Sequence, residues 1–97
     1  MAKRLMVVCG TGIATSTVAT GKIKDYLKQE GLDGNVTFLQ SKIADEVSAI
    51  QNGDYDIVVS TTMVPSDIKD KVINGVPLLT GIGVSKVFDE IKADVLK

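Results

Sequence analysis

The 97-residue chain reads as an α/β domain, a four-stranded parallel open sheet with helices on both faces. Three observations predict this. Short apolar runs of strand length recur along the chain, and two of them, around residues 5–9 and 57–59, are continuous, as in strands buried on both faces. Between the runs lie stretches whose apolar residues recur at helical spacing. A loop of glycines and small residues joins the first run to the first helical stretch. Strands that alternate with helices build parallel sheets through crossover connections.

The elements follow in order. Leu5-Met6-Val7-Val8-Cys9 is the first strand. After the loop, Thr15 or Ser16 is placed to cap a helix. Val18, Ala19, Ile23, Tyr26 and Leu27 share its apolar side, and Gly31 suits the left-handed position beyond its end. Gly21 in its interior costs about 1 kcal/mol relative to Ala, which close packing on the sheet would explain. Residues 35–40 alternate as a second strand. Ser41 is the expected cap of a short helix carrying Ile43, Val47 and Ile50, closed by Asn52-Gly53. Residues 55–60 form a third strand. Residues 61–75 carry at most a turn of helix near Ser66 to Lys69. Residues 76–80 are expected as a fourth strand, with Pro77 at its start or on an edge. Val84, Val87, Phe88, Ile91 and Val95 mark a last amphipathic helix. The order is β-α-β-α-β-turn-β-α, and residues 1–97 are read as one domain.

Composition excludes several classes of function. Net charge is −1, and Arg4 is the single arginine, so no electrostatic grip on nucleic acid is expected. Lys22, Lys24 and Lys28 alternate with acids, the pattern of a solvated helix face. No apolar run approaches the roughly 20 residues of a membrane span, and the short basic-then-apolar start is no signal peptide. A cytoplasmic protein, not inserted in the membrane, is therefore expected. A single cysteine gives neither an internal disulfide nor a zinc cluster. The chain has no histidine, which removes imidazole acid–base catalysis, the Ser-His-Asp triad, Cys-His activation and most transition-metal sites. No metal and no cofactor are expected.

What remains is the stretch VVCGTGIATS at residues 7–16. In an open parallel sheet, sites lie beyond the carboxyl ends of the strands. Cys9 closes the first strand, and the small residues after it let backbone N–H groups converge ahead of a helix N-terminus. Such a nest binds anions, and thiols at helix N-termini ionise more readily than free thiols. Gly10, Thr11, Gly12, Ile13, Ala14, Thr15 and Ser16 are the candidate phosphate cradle, a phosphate-binding loop after strand 1, with Thr17 a further hydroxyl. Cys9 is the candidate nucleophile. By type alone, a cysteine is more often packing than chemistry; its position at this junction reverses that.

Competing motifs fit less well. A P-loop needs a lysine that is missing, and a dinucleotide fingerprint needs Gly or Ala where Thr15 stands. A Cys-x5-Arg phosphatase also needs its arginine at position 15, and without it the phosphoryl transition state loses its bidentate partner. A carrier, which must hold its phosphate until the acceptor arrives, suits a nest without arginine. From the residues alone, a phosphatase and a redox or structural module without phosphate chemistry stay open beside the carrier. Ser60-Thr61-Thr62 is expected on the same rim, as is the Gly81-Ile82-Gly83 turn after the fourth strand. Asp67, Asp70 and the acids of the last helix are expected as surface charges, and Met6 and Met63 as core or rim filling. Ile13, Val64 and Ile82 are candidates for a partner-docking patch.

The run Cys9-Gly10-Thr11-Gly12-Ile13-Ala14-Thr15-Ser16-Thr17 resembles the active-site loop of the IIB component of the bacterial phosphoenolpyruvate-dependent sugar phosphotransferase system, in particular the galactitol-specific IIB type. The likeness extends over the whole chain in length and element order. It implies a phosphoryl carrier. A phosphohistidine on a IIA partner would charge Cys9, and the group would pass to a sugar or polyol imported by the membrane IIC component. Peripheral association with the membrane through IIC and a monomeric state are the matching expectations.

Overall fold

The structure is a computed structural model that describes residues 3–10 and 14–97. Its elements are β1 (Lys3–Cys9), α1 (Ala14–Gln29), β2 (Val36–Lys42), α2 (Ile43–Asn52), β3 (Ile57–Ser60), β4 (Ile73–Asn74), α3 (Val76–Thr80) and α4 (Val84–Leu96). Short 3-10 turns precede β2 and β4. The strands form one sheet in the order β2-β1-β3-β4, and every pairing is parallel.

Alternation along β1 divides the core in two. Leu5 and Val7 face one side, where they meet Ala19, Ile23 and Leu27 of α1, Ile57 and Val59 of β3, Leu78 of α3, and Val87, Ile91 and Val95 of α4. Met6 and Val8 face the other side with Val58, Ile68 and Ile50 of α2. Two elements on the first side are tied further. Tyr26 stacks on Phe88 with ring centroids 4.3 Å apart, and Lys92 pairs with Glu30 at 2.6 Å, joining α1 to α4.

Several local expectations hold. Gly31 and Gly53 take positive φ beyond the ends of α1 and α2. Residues 61–75 carry only turns, a 3-10 segment and the two-residue β4.

Others are corrected. Val18 is 51% exposed, because the buried stripe of α1 runs through residues 19, 23 and 27 and residue 18 lies about 100° off it. Gly21 is exposed, and a Cβ built there meets nothing within 4 Å, so close packing does not explain it. Ser41 belongs to β2 rather than capping α2. Its hydroxyl donates to Glu46 at 3.3 Å, and Lys42 occupies the N-cap position without a side-chain bond.

Residues 76–80 are helical, not the fourth strand. Pro77 sits in the first turn, where its fixed φ is an asset and its missing N–H costs nothing. The Asn74 carboxamide oxygen accepts the Val76 N–H at 3.1 Å, and Gly81 closes the helix at φ 80°. The fourth strand is the preceding pair Ile73–Asn74, on the sheet edge. The Gly81-Ile82-Gly83 turn therefore follows α3 rather than a strand. It still lies toward the carboxyl end of the sheet. The Lys3 ammonium donates to the Lys97 carbonyl at 3.0 Å, which puts the end of α4 beside the start of β1 and its beginning about 20 Å away.

Candidate functional site

The strand order creates one switch point. From β1 the chain crosses to β2 on one side, while β3 and β4 lie on the other. The crevice beyond the carboxyl ends of β1 and β3 is therefore where an open parallel sheet takes its ligand. Cys9 ends one of these strands and Ser60 the other.

Cys9 is paired with Lys42 across the β1–β2 ladder and is 1% exposed. Its thiol donates weakly to the Ser41 carbonyl at 3.9 Å, so the sulfur leans toward β2. Gly10 follows as an exposed bend, and α1 starts at Ala14. Thr11, Gly12 and Ile13 lie outside the described residues, as do the side chains of Ala14, Thr15 and Ser16. The first described side chain of α1, Thr17, donates its hydroxyl proton to the Gln40 carboxamide oxygen at 3.0 Å, tying the start of the helix to the end of β2.

Across the crevice, residues 60–62 do lie on this rim. The Thr61 N–H donates to the Val8 carbonyl at 3.1 Å, and the Thr61 hydroxyl approaches the same oxygen at 3.4 Å. Ser60, 1% exposed, donates its hydroxyl proton to the Thr62 carbonyl at 2.7 Å and accepts the Thr62 N–H at 3.1 Å. Thr62 Oγ1 lies 3.3 Å from where a Cβ on Gly10 would stand. The run of hydroxyls in the sequence signals this rim; nothing in the sequence signals that Thr62 stands where a side chain at Gly10 would go.

Beyond β3 and β4 a cleft of about 360 Å3 opens, lined in part by Thr62, Val64, Lys69, Asn74 and Val76. Val64 is half-buried against the α2-side core, whereas Ile82 is 80% exposed. Met63 is not core; it is 92% exposed and lies beside this cleft on the rim. Met6 is buried, and Asp67 and Asp70 are on the surface as expected. Gly75, which the sequence reading passed over, holds β4 against β3. Its N–H donates to the Ser60 carbonyl at 2.7 Å, and a Cβ there would lie 2.6 Å from Val59 Cγ1.

Comparison with known proteins agrees with this geometry. Residues 4–94 match the family described as the PTS system, lactose/cellobiose specific IIB subunit. The chain belongs to this IIB family. It is similar to the provisionally assigned phosphotransferase enzyme IIB component SgcB of Escherichia coli strain K12. The two are 34% identical over 91 residues, covering 94% of this chain and 95% of that protein. It is also 26% identical to the galactitol-specific EIIB component of the same strain, over 94% of each chain. The matching component of Shigella flexneri is 25% identical over the same shares. The chain is thus a IIB component of the sugar phosphotransferase system, and no helix among the described residues is long and apolar enough to cross a membrane.

Proposed function

We propose that this IIB component carries its phosphoryl group on Cys9, taking it from a phosphohistidine of a IIA partner and delivering it to a polyol, galactitol in the first instance, as a IIC component imports it. The single observation that supports the choice of Cys9 is its place. It is the chain's only thiol, and it ends β1 at the switch point of the sheet of a IIB-family protein with no histidine.

The two transfers balance simply. The Cys9 thiol loses its proton as its sulfur attacks the phosphorus; the S–P bond forms, the donor's N–P bond breaks and the freed imidazole nitrogen takes up a proton. A polyol hydroxyl then attacks, an O–P bond forms, the S–P bond breaks with the electron pair left on the sulfur, and the hydroxyl proton passes through solvent to restore the thiol. Such transfers ask the protein for position and electrostatics rather than for a covalent helper. Gly10, Thr11, Gly12, Ile13, Ala14, Thr15 and Ser16 are proposed as the cradle, whose backbone N–H groups and helix N-terminus would hold the phosphate oxygens. The buried thiol means that exchange includes a step in which the sulfur becomes reachable. Ile13, Val64 and Ile82 are proposed as docking contacts for the transient partners. The carrier is proposed to act as a single domain and a monomer, in the cytoplasm and at the membrane only through IIC.

The family description names lactose and cellobiose, whereas the relatives with a sugar in their names are galactitol-specific. The test is a phosphorylation assay with phosphoenolpyruvate, the general donor proteins, a cognate IIA and membranes bearing the cognate IIC. Labelled galactitol, lactose and cellobiose are supplied in turn. The proposal expects galactitol phosphate to form and Cys9→Ser to abolish it. Phosphorylation of lactose or cellobiose instead would overturn the polyol assignment, and full activity of Cys9→Ser would overturn the role of the thiol.

A further inference from the structure

We propose that Lys42 is a catalytic residue of this carrier, the cation that meets the phosphoryl group at Cys9. Its role in transfer rests on the carrier reading above; the placement of a positive charge beside the cysteine does not.

Transfer at Cys9 brings an anionic phosphoryl group into a chain with no histidine and one arginine. That arginine is engaged at the other end of the strand. Arg4 Nη1 donates to the Asp54 carbonyl at 3.2 Å, and its guanidinium carbon stands 5.1 Å from the centre of the Tyr55 ring. The ladder supplies a lysine instead. Cys9 and Lys42 are register partners in the parallel pairing of β1 with β2, and neighbouring strands run about 4.8 Å apart. Their side chains share a face. Leu5 and Val7 put the odd residues of β1 on the α1–α4 side. Phe38 packs on that same core and Leu39 on the opposite one, so the even residues of β2 face the same way. Alternation carries Cys9 and Lys42 onto that side. Gln40 is held there by the hydroxyl of Thr17, in the first turn of α1, at 3.0 Å. Lys42 follows Gln40 toward the carboxyl rim, beside the start of α1.

The sulfur leans toward the strand that carries this lysine. Cys9 Sγ lies 3.9 Å from the carbonyl oxygen of Ser41, in the peptide that leads into Lys42. Lys42 is exposed, and among the described residues its amine has no ion pair, hydrogen bond or ring contact. The acids in the first turn of α2, Asp45 and Glu46, leave it so; Glu46 takes the hydroxyls of Ser41 and Tyr55. Lys3, Lys22, Lys71 and Lys92, by contrast, are each engaged by a carbonyl or a carboxylate. Lys42 is thus a free ammonium on a flexible stem, rooted one strand spacing from the nucleophile's own backbone. A lysine meets phosphate as a point charge, without the bidentate geometry of arginine. It can offset the charge of the phosphoryl group as the group arrives and leaves, which is what a carrier requires.

The test uses the full chain with Lys42→Met, Lys42→Arg and Lys42→Glu, beside Lys28→Met in the last turn of α1 as a control for net charge. Lys42 fills the N-cap position of α2 without a side-chain bond, so the variants are expected to fold, and thermal midpoints check this. The first readout is the ratio of Cys9 alkylation rates with anionic iodoacetate and neutral iodoacetamide, in which the fraction of thiolate cancels. Lys42→Met is expected to lower this ratio about threefold and Lys42→Glu to lower it further, while Lys42→Arg and Lys28→Met keep the parent value. The second readout is single-turnover phosphate uptake from phosphorylated IIA at varied donor concentration. Lys42→Met is expected to slow the saturated rate about tenfold with the half-saturating concentration unchanged, and Lys42→Arg to keep most of the rate. A folded Lys42→Met with a parent-like reagent ratio, or with a parent-like saturated rate, would overturn the assignment. A raised half-saturating concentration at an unchanged saturated rate would make Lys42 a docking contact and overturn it equally. If the parent accepts no phosphate, the carrier reading falls and the catalytic role with it, and the reagent ratio alone decides whether Lys42 places its charge at Cys9.

Discussion

Gly75 has no room for a methyl group. The nearest atoms to a Cβ there are Val59 Cγ1 at 2.6 Å and the Ser60 carbonyl oxygen at 3.1 Å, both in the strand it pairs with. Gly75→Ala should therefore cost about 1–3 kcal/mol, the usual range for overpacking, read as a shift in the urea midpoint at unchanged slope. Tyr55 makes a second residue-scale prediction. Its phenol donates to Glu46 Oε1, and this hydrogen bond, with burial and the nearby carboxylate charge, raises its pKa above the ordinary 10.0. A raised pKa means that the fold favours the neutral phenol. The stabilisation is fully present below the unfolded value and is lost as pH climbs through the folded one. Tyr55→Phe should cost about 1 kcal/mol at neutral pH and should flatten the alkaline fall in stability. Denaturation at pH 8 and above pH 10 checks both. Tyr26, also raised, chiefly by burial, contributes to the alkaline fall in the same direction.

At the scale of elements, α1 offers a clean contrast between face and filler. Ile23 is fully buried between the sheet and α4, and Ile23→Ala should cost about 2–5 kcal/mol. Gly21, two residues away, is exposed with open space where a Cβ would go. Gly21→Ala should stabilise the protein by about 0.5–1 kcal/mol, and thermal denaturation of the two variants should move in opposite directions. The elements legible in the sequence were those with a strong period or a continuous apolar run, namely β1, β3 and the stripes of α1, α2 and α4. Each is decided by burial of its own residues. The misplaced pieces were decided by contacts that periodicity does not carry. Residues 76–80 look like a strand by composition, but Asn74, Pro77 and Gly81 write a short helix around them. Ser41 looks like a cap, but Glu46 takes its hydroxyl. At the site, the place of Cys9 at the end of β1 and the hydroxyl rim were legible because residue type and strand end coincide there. That Thr62 stands where a side chain at Gly10 would go was not, because it concerns residues 52 apart in the chain.

Over the whole molecule, the chain's net charge of −1 gives no long-range field to select partners. We therefore propose recognition by local shape at the carboxyl rim; among the described residues Met63 and Ile82 are the most exposed large apolar side chains. The same topology that buries two separate cores on the faces of one sheet brings the ends of β1 and β3 together, so the fold places the cysteine beside the hydroxyl rim without a dedicated element. We propose that Cys9 holds the phosphoryl group in transit. The most direct measurement is the intact mass of the protein after incubation with phosphoenolpyruvate, the general donor proteins and a charged IIA, beside Cys9→Ser. One phosphate is expected on the parent, retained in buffer and removed by acceptor, and none on the variant. One phosphate on both proteins, or on neither while the IIA is demonstrably charged, would contradict it.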